Sequence, residues 1–141
     1  MKRYLFDTSA ISLMLEGNVP DKWKRFWIDV RTGRGRLILF EPLVSETYYK
    51  NVQVHGKKPS KRNVLRLKAL PETTMVHLDD NHAIAAGDIK VEHSRFSLSL
   101  VDCFILAVAK SQSAKIITMD HSLRDVARKM RIGCSFLPLA K

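Results

Sequence analysis

Three aspartates stand where a carboxylate is costly unless something pairs with it. Asp102 lies in Ser99-Leu-Val-Asp102, a capping-box pattern that opens a helix. From Leu100 to Ala109 every residue except Asp102 is apolar, and a helix apolar all round belongs inside a protein. Asp102 is thus a carboxylate at the mouth of a buried helix. That helix runs out in Lys110-Ser-Gln-Ser113, Lys115-Ile-Ile-Thr118 reads as a short buried strand, and a second carboxylate, Asp120, follows it. Arg3-Tyr-Leu-Phe6 is another strand, and it ends at the third, Asp7. In open α/β sheets ligands bind just outside the carboxyl ends of the strands. A parallel sheet can therefore bring Asp7, Asp102 and Asp120 to one rim. Crowded carboxylates raise one another's pKa and stay ionised together only with a cation. All-oxygen acidic sites suit hard cations, Mg²⁺ or Mn²⁺, and such ions activate water and stabilise in-line displacement at phosphorus. Strand-end aspartates also serve as plain helix caps, and the residues alone leave that reading open.

The elements that must position these groups alternate. After Asp7 a helix runs from Ala10 to about Glu16, with Ser9 as its cap and Gly17-Asn18 closing it. Asp21 to about Thr32 carries Trp23, Phe26, Trp27 and Val30 at i, i+3, i+4, i+7, an amphipathic helix whose aromatic face packs against core or partner. Leu37-Ile-Leu-Phe40 is a second strand, and Glu41-Pro42 opens a helix reaching about Val54 with an apolar stripe of Val44, Tyr48 and Val52. Residues His55 to Asn63 read as a basic connector, with Ser60 capping a further helix through Leu70. Met75-Val-His-Leu78 is a third strand, and Asp79-Asp80 caps a helix through about Glu92. Ser122-Leu-Arg-Asp125 is another capping box, ahead of Leu123, Val126, Ala127 and Met130 at helical spacing. Gly133 ends that helix, and Cys134-Ser-Phe-Leu137 is the last strand. Strands separated by helices imply an α/β fold with a parallel sheet, right-handed crossovers and helices on both faces.

The 141 residues suit a single domain, 1–141, and 45% hydrophobic residues make it globular. The net charge of +10 favours a polyanionic or acidic partner. The densest basic region lies between Lys50 and Lys68, where Lys57, Lys58, Lys61 and Arg62 are candidate phosphate contacts. The short apolar start before Asp7 is no signal-peptide core and no run approaches membrane-span length, so a cytoplasmic protein is expected. Cys103 and Cys134 form neither a disulfide framework nor a zinc-ligand pattern, and Cys103 reads as a small core residue.

LFDTSA at 5–10, the Ser45-Glu46 helix, LSLVDCFILAVAK at 98–110 and IITMD at 116–120 are similar to the four acidic motifs of PIN-domain ribonucleases. They occur in that family's order and approximate spacing, over nearly the whole chain. In particular the chain resembles the small single-domain toxins of VapBC-type toxin–antitoxin pairs. The resemblance implies a three-layer α/β/α fold with a five-stranded parallel sheet. It also implies Mg²⁺- or Mn²⁺-dependent endonucleolytic cleavage of RNA by metal-activated water. Asp7, Glu46, Asp102 and Asp120 then form the catalytic set. Asp7, Asp102 and Asp120 hold the metal, with Glu46 nearby or acting through water. Thr8 and Thr118 match small hydroxyl positions that orient acids or water. The implied partners are RNA, a cognate antitoxin and a second copy of the chain in a homodimer, with the Trp23–Val30 face offered for one of those contacts. The pattern departs after the fourth acid, where His121, Ser122 and Leu123 stand in place of a further acid and an aromatic. A fifth ligand would have to be Asp125, whose place in the capping box suits a structural role better, and His121 reads as an exposed loop residue. Other readings are a housekeeping PIN-domain nuclease of RNA processing or decay, a PIN-like module that binds without cleaving, and an aspartyl phosphatase. The last lacks the second aspartate of Asp-x-Asp-x-Thr.

Overall fold

The computed structural model describes residues 1–138. The chain alternates strands and helices: β1 (Lys2–Phe6), α1 (Thr8–Leu15), α2 (Asp21–Arg31), β2 (Gly35–Leu39), α3 (Glu41–His55), α4 (Lys57–Ala69), β3 (Thr73–Met75), α5 (Asp80–Glu92), α6 (Leu100–Gln112), β4 (Lys115–Thr118), α7 (His121–Lys129) and β5 (Cys134–Phe136). The five strands form one all-parallel sheet in the order β3-β2-β1-β4-β5. Parallel sheets are covered on both faces, so their central strands are apolar throughout. Leu5 and Phe6 of β1, Leu37 to Leu39 of β2 and Ile116 and Ile117 of β4 are accordingly buried, and the helices complete a three-layer α/β/α arrangement. The chain grows outward from β1 through β2 to β3, then returns to the other side of β1 with β4. The crevice at the carboxyl ends of β1 and β4 is thus the point where the winding reverses, which is where open α/β sheets bind ligands.

The aromatic face of α2 belongs to this core. Trp23 and Val30 are fully buried, Phe26 nearly so, and the Trp23 indole N–H donates to Ser135 Oγ at 3.2 Å. Trp23, Phe26 and Val30 therefore belong to the chain's own core, the first of the two readings the spacing allows, so the contact with a partner offered for this face is corrected at those three residues; Trp27 is half-buried beside them.

Other boundaries move for identifiable reasons. The cap of α1 is Asp7 and not Ser9, because the Asp7 carboxylate accepts the Ala10 N–H. The basic connector does not exist: α4 begins at Lys57, and Gly56 alone separates it from α3. Its φ of +83° lies in the region open to glycine. Ser60 is consequently interior to α4, buried, with a hydroxyl that has no partner among the described residues. Strand β3 falls at Thr73–Met75, where Arg36 holds Thr74 Oγ1 at 3.0 Å, and not at Met75–Leu78. Helix α7 starts at His121 under the Asp120 cap, so the Ser122–Asp125 box does not form. Asp125 instead pairs with Arg124 at 3.0 Å. His121 is exposed as expected, but on the first turn of α7 against the Phe136 ring, 4.8 Å between centroids. Helix α6 is buried only beyond its first turn, and Leu100 is exposed.

Candidate active site

Four acidic side chains face the crevice between β1 and β4, and each is fixed by a different element. Asp7 follows β1 and caps α1, so its backbone is pinned on both sides. Its Oδ1 accepts the Ala10 N–H at 2.9 Å, and its Oδ2 accepts the hydroxyl of Thr118, at the end of β4. The same Thr118 oxygen accepts the Asp120 N–H at 2.9 Å. One buried hydroxyl thus ties two acids on adjacent strands into a single hydrogen-bonded chain. Asp120 is more open to solvent, and its Oδ1 accepts the Leu123 N–H at 2.8 Å as the cap of α7. Asp102 sits in the capping box of α6: its Oδ2 accepts the Ser99 N–H at 3.0 Å, and its own N–H donates to Ser99 Oγ at 3.0 Å. Glu46, in the second turn of α3, accepts the Thr8 hydroxyl on Oε1, and its side chain is only 12% exposed.

The electrostatics show that these groups sense one another. Burial pushes the Asp7 carboxyl up to about 6; the Thr118 and Ala10 hydrogen bonds pull it back, and the charges of Asp102 and Asp120 add to the rise. Burial also raises Asp102, against its bonds to Ser99, with Asp120 and Glu46 adding to the rise. The only cation paired with any of the four, among the described residues, is Lys50, with its Nζ 3.8 Å from Glu46 Oε1. As the side chains lie, no three His, Cys, Asp or Glu residues among the described ones form a metal-holding group.

The structure thus brings Asp7, Glu46, Asp102, Asp120, Thr8 and Thr118 together. It leaves Lys57, Lys58, Lys61 and Arg62 apart, exposed on α4 with no bond to any of the acids. Lys50 is the site neighbour that the sequence reading left inside a diffuse basic region; its position four residues after Glu46 on a helix is the signal that singles it out.

An all-parallel α/β sheet with acids gathered at its winding reversal defines the class of open α/β domains whose ligand crevice is acidic. Within it, residues 4–129 match the PIN domain family model, and the chain belongs to that family. No curated protein gives a significant match to the sequence. Among solved structures, the chain is similar to VapBC2 from Rickettsia felis bound to a DNA fragment from its promoter, with a TM-score of 0.73 and 10% identity over 95% of this chain and 98% of that one. It is also similar to Mycobacterium tuberculosis VapC20, a sarcin-ricin loop cleaving toxin, with a TM-score of 0.69 and 16% identity over 87% of this chain and 94% of that one. FitAcB from Neisseria gonorrhoeae gives a TM-score of 0.62 and 21% identity over 96% of this chain and 97% of that one. At these identities the likeness is one of fold.

Proposed function

We propose that the protein is a metal-dependent endoribonuclease and the toxin of a VapBC-type toxin–antitoxin pair. The observation that carries this reading is the convergence of acids at the β1–β4 crevice: Asp7 and Asp120 are tied through Thr118, Glu46 is bonded to Thr8 next to Asp7, and the charge of Asp102 reaches Asp7. Asp7 is nearly fully buried, holds two hydrogen bonds and has no cationic partner among the described residues. Such a carboxylate set is incomplete without a positive charge. Its donors are all oxygen, which fits Mg²⁺ or Mn²⁺. Mg²⁺ keeps several waters and takes one or two carboxylates directly, so it needs no group of three protein ligands among the described residues. Asp7, Asp102 and Asp120 would hold the ion, directly or through its waters, and Glu46, whose charge reaches Asp102, would act through water. A bound divalent ion supplies Lewis acidity, lowering the pKa of water and offsetting charge on the phosphodiester.

The chain's own groups do the positioning. Thr118 orients Asp7 and the Asp120 backbone together, and Thr8 holds Glu46 toward the crevice. Lys50, beside Glu46, is the cation offered to the RNA backbone at the site, and Lys57, Lys58, Lys61 and Arg62 along α4 are offered to it away from the acids. An antitoxin partner belongs to the same reading, supported by fold neighbours solved as VapBC complexes, and a homodimer is proposed with it.

The test is RNA cleavage by the purified protein and by Asp102→Asn, each with Mg²⁺, with Mn²⁺ and with excess chelator. Cleavage by the wild type that needs the ion and falls at least about 100-fold in the folded mutant is expected, a loss of roughly 3 kcal/mol of transition-state stabilisation. Equal cleavage by both proteins would mean a contaminating ribonuclease. No cleavage by a folded, antitoxin-free wild type, together with no metal binding, would overturn the reading in favour of a binding module.

A further inference from the structure

The sheet has a second edge of marked character, roughly 16 Å from the acids at a strand's rise per residue. It lies at the amino ends of the strands. Two adjoining hollows, of about 360 Å³ and about 330 Å³, share Ser113 and Lys115 there. Lys2, Arg3, Arg25 and Lys115 line the first, and Lys110, Lys115 and Arg131 the second, with Asp29 as the one carboxylate between them. A positive edge has an ordinary cause, because α2, α6 and α7 all end here and helix carboxyl ends attract cations. Two of the six cations do serve it: Arg3 donates to the Gln112 carbonyl at 3.0 Å and Lys110 to the Met130 carbonyl at 3.3 Å. The others exceed that need. Arg25 and Lys115 lie against the Phe26 ring, 4.9 and 5.1 Å from its centroid, and make no ion pair among the described residues. Arg131 is exposed and makes none either, and Lys2 stands 3.9 Å from an Asp29 already engaged by the Tyr4 hydroxyl at 2.6 Å.

We infer that this cationic groove binds the phosphodiester backbone of RNA, as a second binding surface on the edge opposite the acids. A row of six cations along a concave strip, with Arg25, Lys115 and Arg131 in no ion pair among the described residues, answers the regular charge of a nucleic-acid backbone. Phe26 is too buried to stack on a base. The groove therefore grips phosphate and carries no sequence preference. The choice of RNA over another polyanion rests on the function proposed above.

The experiment measures binding of a labelled oligouridine by fluorescence anisotropy, in chelator so that no cleavage intervenes, across a range of salt. The wild type is compared with Lys115→Gln/Arg131→Gln and with the equally charged control Lys24→Gln/Arg95→Gln. The groove pair is expected to lower the slope of log affinity against log salt by about 1.4, roughly 0.7 for each phosphate no longer neutralised, and the control to leave it unchanged. Lys115→Arg/Arg131→Lys, which keeps both charges, is expected to bind as the wild type does, separating loss of charge from loss of fold. Equal losses in groove and control pairs would reduce the effect to net charge and overturn the inference. So would an unchanged groove pair, a wild type that binds no RNA, or a groove pair that loses binding to polyglutamate while keeping RNA, which would point to an acidic protein. None of these outcomes bears on the acids, whose role is read separately from cleavage by Asp102→Asn.

Discussion

Asp7 shows how a residue can cost stability for the sake of a site. Its carboxyl rises to about 6, from the ordinary aspartate value of 3.8, in the metal-free protein. Between those values the folded chain holds a proton that the unfolded chain has lost, so stability falls as pH rises through that window and is level above it. The span corresponds to on the order of 3 kcal/mol, at 1.36 kcal/mol for each pH unit. Asp102 is raised too and adds to the slope with the same sign. Asp7→Asn keeps an acceptor for the Ala10 N–H and removes the buried charge. In chelator at pH 8 its Tm should exceed that of the wild type by about 5 °C or more, and its stability between pH 4 and 6 should vary less. An unchanged pH slope in thermal melts would show that the charge of Asp7 is compensated in the folded chain. The same protonation works against metal binding, so affinity for Mn²⁺ should decline as pH drops below about 6. Asp7, Asp102 and Asp120 were legible in the sequence because strand ends and a capping box are local patterns. Glu46 was not, outside the family resemblance. The apolar stripe of α3 points along Val44, Tyr48 and Val52, whereas the buried face is Leu43, Thr47 and Asn51. Two of those three are polar and donate back to their own helix, Thr47 to the Leu43 carbonyl at 2.8 Å and Asn51 to the Thr47 carbonyl at 2.7 Å, with Asn51 also donating to Ser12 Oγ of α1 at 3.1 Å. A polar face bonded in this way leaves no trace in hydropathy, and so the side of the helix that carries Glu46 could not be read.

Elements were predictable where one face is apolar and the ends are capped. The α2 face emerged from spacing alone, and the structure makes it core. Trp23→Ala should accordingly destabilise the fold by about 3–5 kcal/mol in denaturant melts, the usual loss for a large buried aromatic. A melt unchanged by this substitution, accompanied by lost self-association, would return Trp23 to an interface. Element starts were least legible where several caps compete. Asp7, Thr8 and Ser9 are all permitted caps, as are Asp120 and Ser122. In both cases the strand-end aspartate wins, because its main chain is already extended at the end of a ladder and its side chain reaches the N–H three residues on. The α3–α4 junction was misread because Pro, Gly, Ser and Lys suggest a loop. Pro59 falls in the first turn of α4, where its missing N–H costs nothing.

At the scale of the whole molecule, charge and topology divide the labour. The order β3-β2-β1-β4-β5 sends the acids of β1 and β4 to one edge, and the cations that precede the strands collect at the other. Strand order is fixed by crossovers that no local pattern reveals; alternation of strands and helices announced a parallel sheet but not which strands would be neighbours. The sheet's outer members are only three residues long, and each presents a main-chain carbonyl to a cation: Thr73 to Arg36 at 3.1 Å and Phe136 to Lys22 at 2.6 Å. An open strand edge is a template for further pairing, and short edges with charges are how native sheets blunt it. The protein is thereby insulated against growing by strand addition at either side. Arg36→Ala/Lys22→Ala should leave the fold intact, raise thioflavin T fluorescence and shorten the lag before aggregation on mild heating, whereas an unaltered lag would assign the protection to strand length alone. For a basic chain whose apolar strands must all come together before any is covered, those two side chains occupy the places where a foreign strand would begin to pair.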